Sequence, residues 1–100
     1  MQYLLRTRSG ATEAVIDDNC GISKFYAIAG ALSEDLHVKF INQVDDAENL
    51  DWDFTYNNLM LTLHYNIFNG VSITPGSEND LNTENKAVLD IAGFLMRRVF

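Results

Sequence analysis

Apolar and polar residues alternate most regularly between residues 52 and 74. Trp52, Phe54 and Tyr56 are separated by Asp53 and Thr55. After Asn57-Asn58 the pattern resumes, with Leu59, Leu61, Leu63, Tyr65 and Ile67 set against Met60, Thr62, His64 and Asn66. A period of two predicts strands with one buried face. Asn57-Asn58 suits a tight turn because Asn tolerates positive φ. Asn69-Gly70, followed by Val71 and Ile73, is a strong hairpin signal. A three-stranded antiparallel meander is therefore expected over residues 52–74, apolar on one face and polar on the other.

Residues 3–8 and 11–16 flank Ser9-Gly10 and read as a hairpin with a two-residue turn. That register sets Arg6 opposite Glu13 and Leu4 opposite Val15. The alternative leaves residues 11–15 as coil or a helical turn, because Ala and Glu are poor strand formers. Asp17-Asp18-Asn19 resembles a helix entrance, where acids complement the N-terminal dipole. Ile22, Phe25, Tyr26, Ala29 and Leu32 then recur at helical spacing, and the helix is expected to end near residues 33–35. Gly30 inside it permits close approach to a sheet.

Residues 36–44 alternate as a strand, with Leu36, Val38 and Phe40 on one face and His37, Lys39 and Ile41 on the other. Residues 43–51 are polar and are expected to form a loop. Pro75-Gly76-Ser77 ends the last strand. A second helix is expected from Asn82 or Thr83, with Val88, Ile91, Ala92, Leu95 and Val99 as its buried stripe. The fold class expected is α+β: a two-layer sandwich in which an antiparallel sheet of about four to six strands carries two helices on one face.

At 100 residues the chain has the length of a single domain, 1–100. Its apolar fraction of 47% is that of a globular protein and argues against disorder. No apolar stretch approaches the roughly 18–20 residues that a membrane span needs. The first eight residues carry no secretory-signal pattern, so a cytoplasmic location is expected. The lone cysteine, Cys20, excludes an intramolecular disulfide and fits a reducing compartment.

Charge changes the picture more than composition does. Fourteen acids against seven bases give −7, a sign that disfavours direct binding to nucleic acid or anionic membrane. Between residues 41 and 85 there is no Lys or Arg, while Asp45, Asp46, Glu48, Asp51, Asp53, Glu78, Asp80 and Glu84 supply eight carboxylates.

Candidate chemistry is sparse by comparison. His37 and His64 lie on different expected strands, and no paired Cys or His spacing of a zinc site exists. Either histidine can sit beside a carboxylate such as Asp53. Asp45-Asp46-Ala47-Glu48 lacks the ligand order, central Gly and terminal Glu of a calcium loop. The scattered glycines form no phosphate-binding loop, and no Gly-x-Ser-x-Gly elbow is present. Asp17 and Asp18 beside Cys20 work against a reactive thiolate. No catalytic residue, metal site or cofactor is therefore assigned, and the chain is expected not to be an enzyme. An enzyme built on His37, His64 or Cys20 with nearby acids would need those groups to converge in one cleft.

The remaining feature is the acidic run. Asp45, Asp46, Glu48, Asp51 and Asp53 place five carboxylates in nine residues with no base among them. One reading is a solvated loop that serves solubility. The other is a docking surface for a basic partner, in which clustered carboxylates speed association and reject acidic competitors. Trp52, Phe54 and Tyr56 interleave with the acids and read as core aromatics, with Trp52 a candidate anchor at the loop end.

In size, charge and layer architecture the whole chain resembles the bacterial immunity proteins of contact-dependent growth inhibition and related polymorphic toxin systems. No diagnostic motif carries the likeness. It implies a non-catalytic binding protein that neutralises a cognate basic toxin or enzyme by docking an acidic surface over or beside its active site. A nuclease is one such toxin, and the carboxylates 45, 46, 48, 51 and 53 would then stand in for phosphates. The alternative is a self-associating structural or adaptor domain, in which a sheet edge and Val99-Phe100 form a homodimer.

Overall fold

Along the chain run β1 (Tyr3–Arg6), β2 (Thr12–Asp17), α1 (Ile22–Asp35), β3 (Lys39–Asp45), β4 (Asn49–Tyr56), β5 (Leu59–Asn66), β6 (Gly70–Pro75) and α2 (Leu81–Arg97). These come from a computed structural model that describes residues 3–6, 10–76 and 80–98, with Tyr3, Leu5 and Arg6 described by backbone alone. The six strands form one sheet in the order β1-β2-β6-β5-β4-β3, and every neighbouring pair is antiparallel.

Both helices cover the same face. Phe25, Ile28, Ala29 and Leu32 of α1 and Ala87, Val88, Ile91, Ala92 and Leu95 of α2 share one core with Phe54, Leu61, Leu63, Val71 and Ile73. The expected α+β two-layer sandwich is the architecture found. The meander is also as expected, and β3 extends it to four strands. No helix among the described residues is long and apolar enough to cross a membrane.

Local chemistry explains the joints. Asn57 and Asn58 take φ of 51° and 65°, the left-handed pair of a two-residue hairpin turn. The side chain of Asp80 caps α2 by accepting from the Thr83 amide. Glu84 Oε2 in turn accepts from the Asp80 amide at 2.8 Å, a reciprocal arrangement that satisfies two helix-start donors. Asn85 of α2 clamps the start of β2: its Oδ1 accepts from the Thr12 amide at 2.8 Å and its Nδ2 donates to the Gly10 carbonyl at 3.1 Å.

Several expectations are corrected. Arg6 pairs with Thr12 and Leu4 with Ala14, so the register differs by one residue from the Arg6–Glu13 pairing. Ser9 of the expected turn lies outside the described residues. Helix α1 starts at Ile22 with Gly21 as its N-cap, three residues later than the acidic entrance. The helix is also rotated from the expected stripe, so Ile22 and Tyr26 are about half exposed while Ile28 is buried. A Cβ at Gly30 would meet nothing within 4 Å, so this glycine serves no close approach to the sheet. Val99 and Phe100 lie outside the described residues.

The third strand begins at Lys39 rather than Leu36, because Leu36 caps α1 and His37 takes a φ of 56°. A bulge between Phe40 and Asn42 then shifts the register by one residue and inverts the alternation beyond it. Residues 43–51 are not a loop: they are the end of β3, a turn at 46–48 and the start of β4. Ile67, expected to continue the inward face, lies in the β5–β6 turn and is 50% exposed.

Candidate functional site

The β3–β4 hairpin carries all five candidate carboxylates, and strand parity divides them. Asp51 and Asp53 lie on the sheet face opposite the helices. Asp51 Oδ1 is 2.6 Å from His64 Nδ1, its register partner on β5. Asp53 accepts from Thr62 Oγ1 at 2.6 Å and from Asn42 Nδ2 at 3.3 Å. Asn66 Nδ2 donates to Asn49 Oδ1 at 2.6 Å, continuing the same row. These cross-strand pairs hold polar side chains in place on an open sheet.

Asp45, Asp46 and Glu48 gather instead at the hairpin turn, and all three are exposed. The turn is locally specified. The Asp46 amide donates to the Asn49 carbonyl at 2.8 Å, and Asp46 Oδ1 accepts from the Ala47 amide at 2.7 Å. Asp45 lies on the helix side of the bulge, where its Oδ1 accepts from the Trp52 indole at 2.8 Å. Trp52 in turn packs edge-on against Phe25 at 5.0 Å, Phe40 at 5.4 Å and Tyr26 at 5.8 Å. The acidic turn is thus fastened to the aromatic part of the core.

Beside this turn lies a groove of about 230 Å³. Buried Leu50 and Tyr65 form its floor, half-exposed Ile22 and Ile67 its walls, and Asp46 and Glu48 its rim. A hydrogen bond from the Ile67 amide to the Glu48 carbonyl closes one side. Phe68, next in the β5–β6 turn, is 72% exposed. Sequence reasoning missed this groove. An available signal was the apolar pair Ile67-Phe68 directly before Asn69-Gly70, in turn positions that are commonly polar.

Among the described residues no Lys or Arg forms an ion pair with Asp45, Asp46 or Glu48. Lys24 pairs with Asp17 at 3.4 Å. Lys39 opens β3, six residues from Asp45, which corresponds to about 20 Å of extended chain. Arg8 lies outside the described residues.

The remaining candidates stay apart. His37 sits in the α1–β3 connection and His64 in mid-sheet. Among the described residues no group of three or more His, Cys, Asp or Glu side chains is placed to hold a metal. The register aligns Asp51, His64 and Ser72 across three strands, which places a hydroxyl on the far side of the imidazole. Ser72 is only 4% exposed, and no hydrogen bond joins it to His64. Burial, with Asp17 adding to it, pushes the Cys20 thiol above its ordinary pKa, the reverse of what a nucleophile needs.

Compared with protein-family models, with curated proteins and with solved structures, the chain matches none.

Proposed function

We propose that this chain is a non-catalytic binding protein of the immunity type. It neutralises a cationic toxin or enzyme by laying the β3–β4 turn over or beside the partner's active site. The observation that carries this reading is the pairing of exposed Asp46 and Glu48 with an apolar groove, in a stretch of 45 residues (41–85) without Lys or Arg. Rim carboxylates steer a cationic surface toward the site, and apolar contacts behind them supply affinity. Asp45, Asp46 and Glu48 are the contact carboxylates in this account. Asp51 and Asp53, tied to His64, Thr62 and Asn42, extend the negative field on the adjoining face. The protein acts in the cytoplasm, where such a toxin reaches its target.

A second reading, self-association through the sheet edge, draws on exposed Ile41 and Val44 of β3. The bulge at residues 40–42 disrupts a regular edge and works against that pairing.

The test is co-expression with the products of the flanking reading frames. One of them should arrest growth, and this chain should restore it. The D45N/D46N/E48Q variant, folded as judged by circular dichroism, should fail to do so. The proposal is wrong if no flanking product is toxic, or if the triple variant protects as well as the parent.

A further inference from the structure

We infer that the groove beside the β3–β4 turn is an anchor site for one leucine- or phenylalanine-sized side chain that the cationic partner presents between basic residues. This deepens the binding reading above and rests on it.

Size sets the first limit. Small-molecule sites commonly enclose roughly 300–1,000 Å³; at about 230 Å³ the groove suits a single side chain. Its chemistry sets the second. Leu50, Tyr65, Ile22 and Ile67 supply an apolar interior and no Lys or Arg lines it, so an inserted carboxylate would lose hydration without gaining a partner.

The rim sets the third limit. Among the described residues the Glu48 carboxylate has no hydrogen-bond or ion-pair partner, and Asp46 engages only its own turn. A Lys or Arg on either side of the inserted residue meets these carboxylates directly, while an acidic flank is repelled. Charge complementarity therefore chooses the occupant: a basic polypeptide segment with one apolar residue, rather than an acidic peptide or a second copy of this acidic chain.

The exposure pattern agrees. Ile22, Tyr26, Ile67 and Phe68 are each about half exposed or more, and Ile22 and Tyr26 lie one helical turn apart on α1. Of these, Ile22 and Ile67 line the groove itself, and exposed apolar side chains at a concave site are a recurrent mark of an interaction surface. Interface affinity concentrates in such central apolar anchors, ringed by polar contacts that exclude water.

The experiment is an amide NMR titration with three synthetic peptides: Arg-Lys-Phe-Lys-Arg, Arg-Lys-Ser-Lys-Arg and Glu-Glu-Phe-Glu-Glu. The basic phenylalanine peptide should move the amides of Ile22, Ala47, Glu48 and Ile67. It should bind about tenfold more tightly than the serine peptide, the scale expected for burying one apolar side chain. Ile67→Ser and Ile22→Ser, both at half-exposed positions, should erase that preference while leaving weak binding of the serine peptide intact. Equal binding of the two basic peptides overturns the anchor and leaves the acidic docking surface standing. Equal binding of the acidic phenylalanine peptide overturns the charge selection and the docking reading with it. Absence of shifts at these amides with every peptide also overturns the anchor. So do peptide-free shifts at the same amides that grow with protein concentration, which would make a second copy the occupant.

Discussion

The Trp52 indole donates a 2.8 Å hydrogen bond to Asp45 Oδ1, joining the first carboxylate of the acidic turn to the aromatic side of the core. The bond depends on the β3 bulge, because only the inverted alternation brings Asp45 to the helix side of the sheet. Asp45→Ala should cost about 0.5–1.5 kcal/mol, the net value of one such bond. Trp52 is the sole tryptophan, so a change in its fluorescence emission, together with a lower urea midpoint, checks the link directly.

The glycines of α1 and the β5–β6 turn should respond in opposite directions to the same substitution. Gly70 has a φ of +79°, and a Cβ there would stand 1.8 Å from the Asp17 carbonyl oxygen. Gly70→Ala must shift backbone and should destabilise by more than about 2 kcal/mol, since strain and a clash combine. Gly30→Ala meets nothing and gains helix propensity, so it should stabilise by about 0.5–1 kcal/mol. Thermal melts of the two variants separate these outcomes.

Acid should weaken the joint between β2 and α1. The Asn19 amide, donating at 3.0 Å, holds the Asp17 carboxyl below its ordinary pKa; partial burial opposes this and Lys24 assists it. A carboxyl with a lowered folded-state pKa contributes stability that is present above the unfolded value, near 3.9, and fades as pH falls through the folded value. Asp17→Asn should therefore flatten the part of the stability profile below about pH 4 relative to the parent. An unchanged acid limb would assign the acid sensitivity elsewhere.

The raised pKa of Cys20, due first to burial and then to Asp17, predicts a sluggish thiol. Iodoacetamide should label it more slowly than a free cysteine at neutral pH, and faster after unfolding in urea.

Much of this architecture is legible along the chain because strand alternation and buried area agree from residue 52 to 65. Phe54, Leu61 and Leu63 are buried on the expected face, and Asp53, Thr62 and His64 lie opposite. What could not be read has specific causes. One extra residue in β3 inverts the parity of Asn42 to Asp45, and pattern alone does not register a bulge. The β5–β6 turn takes three residues before the left-handed Gly70, which moves Ile67 out of the strand and into the wall of the groove. In α1, packing selects Phe25, Ile28, Ala29 and Leu32, and the small rotation from the expected stripe frees Ile22 and Tyr26. The five acids look like one run in sequence, but alternate residues of a strand face opposite ways, so the run becomes a turn cluster and an open-face row.

The two carboxylate groups should therefore separate under mutation. Asp51→Asn and Asp53→Asn alter hydrogen bonds to His64 and Thr62 and should each lower stability by up to about 1 kcal/mol. Glu48→Gln removes no contact among the described residues and should leave the melting temperature unchanged while slowing association with a cationic protein.

Association kinetics with the toxic flanking product decide whether the acidic turn is the docking surface. The association rate of the parent should fall steeply between about 0.05 and 0.5 M salt, where screening shortens the reach of surface charge. The D45N/D46N/E48Q variant should begin slower and show a shallower salt slope, with its folded-state spectrum intact. Identical rates and identical slopes for parent and variant would place the interface elsewhere on the molecule and contradict the account.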